Sequence, residues 1–160
     1  MVDIEEIVVD GSDRSWAKTK SPCLLYSGGF GPCIVVAVYN HSTKVGHMWH
    51  SPIYSEGLNS MLDDAARGRG SRRLSAWVRG GAHLYYGLIE RASSKDAEYA
   101  SESFRKGVLD ALSRRLPAGS IDVCFLGSGY SGEVTLDTKT GLLEEVYETE
   151  DYTSSSIDDF

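Results

Sequence analysis

Ser27-Gly28-Gly29-Phe30-Gly31-Pro32-Cys33-Ile34-Val35-Val36-Ala37-Val38-Tyr39 sets three glycines and a proline ahead of a cysteine that opens an apolar, β-branched run. Glycine permits positive φ and close backbone approach, while proline fixes its own φ and restricts the residue before it. The stretch therefore reads as a tight loop that delivers Cys33 to the mouth of a buried strand. A thiol there lies beside backbone N–H groups, which stabilise both a thiolate and a developing oxyanion. Free cysteine is also among the most buried residue types, and a lone cysteine qualifies as a nucleophile only with a histidine partner.

Outward from this stretch, Asn40-His41-Ser42-Thr43-Lys44 reads as a hairpin turn that returns Val45 to His50 antiparallel beside the Cys33 strand. Upstream, Ile4 to Val9 is a first strand closed by Asp10-Gly11-Ser12-Asp13, residues 14–22 are a connection, and Cys23 to Tyr26 is a second strand. Downstream, Glu56 to Arg67 is a helix capped by Ser55 or Asn59, with Leu58, Met61, Leu62 and Ala65 on one face. Leu74 to Val78 is a strand ahead of Gly80-Gly81-Ala82. Ser93 or Ser94 to Leu116 is the longest helix, with Phe104, Val108, Leu109, Leu112 and Leu116 at helical spacing, stopped by Pro117 and Gly119. Ile121 to Leu126, Glu133 to Asp137 and Leu142 to Tyr147 close the chain as strands, the last two joined by a turn at Thr138 to Gly141. This order predicts an α+β fold with an antiparallel or mixed sheet.

The 160 residues, 41% hydrophobic and 24% charged, suit a single domain over 1–147 with its own core. The net charge of −7 lies in the last stretch: residues 144–160 hold seven acidic side chains and no Lys or Arg. The rest of the chain is balanced, and 148–160 is read as a solvated acidic tail. Arg67, Arg69, Arg72 and Arg73 crowd one loop, but no aromatic side chains interleave with them, so no nucleic-acid partner is expected. No apolar run has the length of a membrane span, and the acidic N-terminus lacks the order of a signal peptide. Membrane insertion is therefore not expected. Three cysteines make no disulfide framework, which points to a reducing, cytoplasmic setting and leaves export as an effector open.

Four histidines are candidate partners for Cys33. His41 falls in a turn tip and His83 follows a glycine pair, whereas His47 and His50 lie on the strand predicted to pair with the Cys33 strand. Their odd spacing puts them on opposite faces, so only one can point at the thiol. Cys23, Cys33 and His50 lack the paired spacing of zinc ligands, and Cys23 and Cys124, each inside a strand, are expected in the core.

Four segments in order resemble the chemoreceptor glutamine deamidases (CheD-like proteins): Ser27 to Ile34, Val45-Gly46-His47-Met48-Trp49-His50, Arg79-Gly80-Gly81-Ala82, and the Gly-rich stretch from Gly129 to Gly141. The resemblance covers roughly residues 22–147. It implies a four-layer α/β/β/α sandwich flanked by helices, related to the cytotoxic necrotizing factor type of cysteine deamidase. It also implies hydrolysis of a glutamine side-chain amide in a target protein, without cofactor or metal. The nucleophile then falls on Cys33, the base on His50 and the orienting hydroxyl on Ser27, with backbone N–H groups of Gly31 and Cys33 as oxyanion donors. The sequence departs from the family where Ser27 replaces threonine, Pro32 replaces serine, His47 replaces glycine and Trp49 replaces alanine. His47, Trp49, Gly80 and Gly81 become candidates for the substrate rim. Partners implied are the protein bearing the target glutamine and a regulatory protein. Two other readings use the same residues: a binding module of this fold with weak or no activity, and a transglutaminating variant in which an amine intercepts the thioester.

Overall fold

The computed structural model describes residues 4–11, 16–67, 73–82, 94–127 and 129–149, with 94–100 described in backbone only. His83, Arg69, Arg72 and the tail beyond Thr149 lie outside the described residues.

The strands are β1 (Glu5–Val8), β2 (Trp16–Lys20), β3 (Cys23–Phe30), β4 (Ile34–Asn40), β5 (Val45–Ser51), β6 (Leu74–Gly80), β7 (Ile121–Phe125), β8 (Tyr130–Asp137) and β9 (Leu142–Thr149). The helices are α1 (Glu56–Ala66) and α2 (Ser94–Ser113). One sheet has the order β1-β3-β8-β9 and the other β2-β5-β4-β6-β7. Each sheet mixes one parallel pair (β1 with β3, β6 with β7) into antiparallel neighbours. The α+β class expected from the order of elements is the one observed.

β4 explains the packing. It is central in its sheet and buried along its whole length, so both faces need apolar side chains, which is why its sequence shows no polar alternation. Ile34, Val36 and Val38 join Leu58, Met61 and Leu62 of α1 and Val108 and Leu112 of α2 in one core. Val35, Ala37 and Tyr39 join Leu25, Val134 and Leu136 of the opposite sheet in the other. Both described helices thus cover the outer face of the five-stranded sheet, and the layers among the described residues run helix, sheet, sheet. Arg79 ties the sheets together at one edge. Its guanidinium bonds Glu145 on β9, and within its own sheet reaches the Asp122 carbonyl at 2.9 Å and the Asp122 carboxylate at 3.1 Å.

Four local readings change. Residues 16–20 are not connection but an edge strand, paired antiparallel with β5 from Trp16↔Trp49 to Lys20↔Val45. Its short Trp-Ala-Lys-Thr-Lys alternation carries little apolar signal until β5 lies beside it. β3 does not stop at Tyr26: Ser27, Gly28 and Phe30 still pair with β8, with a register shift between Gly28 and Phe30. β9 runs on through Thr149, which pairs with Tyr130, so the body extends past residue 147. Cys124 is exposed rather than core, because β7 is the edge strand of its sheet.

Candidate active site

β3 and β4 belong to different sheets, and only Gly31-Pro32-Cys33 joins them. This short crossing brings Ser27, near the end of one strand, and Cys33, at the start of the next, to the same end of the space between the sheets. Ser27 pairs with Val134 in the β3–β8 ladder and is fully buried on the inner face. His50 pairs with Val35 across the β4–β5 ladder, and directly opposed residues share a face, so its ring enters the inter-sheet layer. Cys33 packs partly buried against that same core.

His50 Nδ1 lies 2.7 Å from Ser27 Oγ, and Ser27 Oγ donates to the Val9 carbonyl at 2.6 Å. A serine hydroxyl has one proton. Given to Val9, it leaves Oγ as an acceptor, so Nδ1 of His50 must carry a hydrogen. In the neutral imidazole, Nε2 then holds the free lone pair. Burial pushes the His50 pKa below its ordinary value, while the Val9 carbonyl and the Asp10 carboxylate pull in the other direction. The ring is thus held as a neutral base with a defined tautomer. Phe30 meets it edge-on at 6.4 Å between centroids.

The Gly31–Cys33 loop is clamped by the residues that follow β6. Gly81 N–H donates to the Cys33 carbonyl and Ala82 N–H to the Gly31 carbonyl, each at 2.9 Å. Gly80 sits at φ +91, and a Cβ there would fall 2.1 Å from the Cys33 carbonyl oxygen, so only glycine fits. Arg105 of α2 braces this turn by donating to the Gly81 carbonyl at 2.7 Å, with its guanidinium 4.6 Å over the Phe125 ring. Among the described residues no backbone hydrogen bond takes the N–H of Gly31 or of Cys33. Burial pushes the Cys33 thiol up, and the N–H of Cys33 itself works against that rise. No hydrogen bond joins Cys33 Sγ to His50 among the described residues, and burial favours the neutral form of each group.

None of the four rim candidates forms a rim: two lie on the far face of β5 and two are buried against the Cys33 loop. His47 and Trp49 point to the other face of β5, beneath the helices, and both are buried. His47 Nε2 meets the Asp64 carboxylate of α1 at 2.8 Å and stacks on Trp16, while Trp49 fills the core between α1 and α2. Gly80 and Gly81 are buried, and the Gly81 N–H holds the Cys33 carbonyl. The strand alternation that separates His47 from His50 is what removes His47 and Trp49 from the site.

Two contributors went unread in the sequence. Val9 acts through its carbonyl, which carries no side-chain signature. Gly11 lies against the Cδ2–Nε2 edge of His50, where an added Cβ would sit 3.6 and 3.7 Å from those atoms. Beside the loop opens a cleft of about 460 Å³, walled in part by Pro32 and Pro52. No group of three or more metal-ligating side chains occurs among the described residues. None of the described helices is long and apolar enough to cross a membrane.

Fold and site together define a two-sheet α+β protein with a thiol, an imidazole and a hydroxyl gathered where one sheet passes into the other. The chain is similar to the probable chemoreceptor glutamine deamidase CheD of Methanosarcina barkeri (strain Fusaro / DSM 804), at 23% identity over 141 residues, covering 78% of this chain and 87% of that protein. This relative bears out the resemblance to chemoreceptor glutamine deamidases; the toxin side of the resemblance gains no support. No family model matches the chain. Among solved structures, Bacillus licheniformis hypothetical protein YfiH superposes with a TM-score of 0.47 and 16% identity, covering 69% of this chain and 50% of its own. YlmD from Geobacillus stearothermophilus gives a TM-score of 0.49 and 12% identity, covering 73% and 52%. The chain spans about half the length of each of these two.

Proposed function

We propose that this chain is a cysteine-dependent protein-glutamine deamidase. The observation that carries the reading is the Val9–Ser27–His50 chain of hydrogen bonds, which aims a neutral, basic Nε2 from the same inter-sheet layer that holds Cys33. Nε2 takes the thiol proton as Sγ attacks the carboxamide carbon, and the N–H groups of Gly31 and Cys33 receive the oxyanion. The imidazolium then gives its proton to the departing nitrogen, ammonia leaves, and a thioester remains on Cys33. Water attacks the thioester, with His50 again taking the proton, and glutamate is released with the thiol restored. Because both partners rest neutral, His50 works as a general base rather than as half of a standing ion pair. The Methanosarcina barkeri relative is a probable chemoreceptor glutamine deamidase, so a chemoreceptor cytoplasmic domain is the first substrate to try.

The test is intact mass of that domain after incubation, with ammonia measured in parallel. Deamidation adds about one dalton per glutamine, and a primary amine added to the reaction distinguishes transglutamination by its own added mass. Cys33→Ala and His50→Ala should abolish both signals. Activity that persists in Cys33→Ala removes the thioester route.

A further inference from the structure

The cleft beside the nucleophile loop is built from the chain neighbours of both reacting groups. Pro32 immediately precedes Cys33, and Pro52 follows His50 by two residues. Ile53, Tyr54, Ala82 and Phe104 complete its apolar wall, Ser101 and Ser103 add two hydroxyls, and among the described residues no charged side chain contributes to the lining. Ile53 is 66% exposed at the mouth, an apolar side chain left in water directly beside the site. The Tyr54 wall is fixed in place. Asn59 donates to its hydroxyl at 2.8 Å, and its ring lies where a Cβ on Gly107 of α2 would touch it at 3.4 Å.

We infer that this cleft is the subsite for the residue flanking the target glutamine, and that it takes an uncharged, apolar side chain. The inference rests on the cysteine chemistry proposed above and adds the class of substrate to it. A carboxamide presented to Cys33 and His50 must bring its neighbours past Pro32 and Pro52. A charged neighbour would lose water there with no opposite charge among the described lining residues, whereas an apolar one covers an apolar wall that is already shaped.

The experiment needs no protein substrate. Iodoacetamide and iodoacetanilide both alkylate a thiol through the same methylene: the S–C bond forms, iodide leaves and the thiol proton passes to base. The second carries a phenyl ring in place of an amide hydrogen. Rates at Cys33 are read by peptide mass on the intact chain, with exposed Cys124 as the internal reference. The anilide-to-amide rate ratio at Cys33 should exceed that at Cys124 by about tenfold, the discrimination an apolar pocket gives a sizeable apolar group. Ile53→Asp, a surface substitution on the cleft wall, should remove most of that excess and leave the iodoacetamide rate alone. Equal ratios at the two cysteines, or an excess that survives Ile53→Asp, overturn the subsite while leaving the cysteine chemistry standing. A Cys33 that neither reagent modifies instead overturns the chemistry, and the subsite with it.

Discussion

His50 Nδ1 and Ser27 Oγ meet at 2.7 Å across the space between two sheets, with Ser27 on β3 and His50 on β5. The bond is buried and hands its polarity on to the Val9 carbonyl at 2.6 Å, so the ring's orientation depends on three strands or strand ends at once. Ser27→Ala should lower kcat by roughly ten- to a hundredfold, the worth of one buried hydrogen bond whose partner is left unpaired. KM should change little, since Ser27 is shut away from solvent. Ser27→Thr keeps the hydroxyl and should keep most of the activity; steady-state ammonia release measures all three proteins.

The pH profile follows from the two neutral partners. Burial lowers the His50 pKa, so the imidazole is already free base at pH 7 and the acid limb of kcat/KM should fall below the ordinary histidine value of about 6.5. Burial raises the Cys33 pKa, so its alkylation rate should climb again only above the ordinary thiol value of 9.0. A limb above pH 7 assigned to histidine would contradict this arrangement.

The same shift has a sign in stability. For His50 and His47 the folded pKa lies below the unfolded one, so the unfolded chain binds more protons on the acid side. Stability should be full above about pH 6.5 and decline as pH falls through the histidine range. Asp64, held low by His47, adds a second loss at pH below the ordinary aspartate value of 3.8. Urea midpoints between about pH 2 and pH 8 would read both, and a midpoint that rises on acidification would contradict them.

His47→Ala separates structure from chemistry. The ring is buried against Trp16 and bonded to Asp64 on the helix side of β5, so its loss should cost about 2 kcal/mol of stability. Cys33 alkylation at pH 7.5 should stay within about threefold of the parent, because nothing on that face touches His50. His50→Ala should do the reverse, lowering turnover by several orders of magnitude.

Two glycines beside the site should respond oppositely to alanine. Gly80→Ala forces a Cβ to within 2.1 Å of the Cys33 carbonyl at a positive φ, and should destabilise the fold and misplace the nucleophile. Gly11→Ala adds a methyl at ordinary contact distance from the His50 ring and should retain activity, whereas Gly11→Phe at the same edge should slow it at least tenfold. Thermal melts beside kcat/KM distinguish the two cases.

Some of this protein was legible without coordinates. The uninterrupted Ile34–Tyr39 run, the Asn40 to Lys44 turn and the apolar faces of α1 and α2 are written in periodicity and turn chemistry, which act over a few residues. Asn40 Oδ1 indeed accepts from the N–H groups of Ser42 and Thr43 at 2.9 and 3.1 Å, a local bond with a local signature. Strand alternation likewise placed His47 and His50 on opposite faces, and the resemblance singled out Cys33, His50 and Ser27. Tertiary structure alone decided that Ser27 lies in a strand of one sheet and His50 in the other, that Trp16–Lys20 is an edge strand, and that helices cover the His47 face. It also decided that the carbonyl of Val9 ends the hydrogen-bond chain. The reason is physical: a backbone carbonyl is the same in every residue, and pairing between distant strands depends on which edges and faces meet, so neither leaves a mark in the order of side chains.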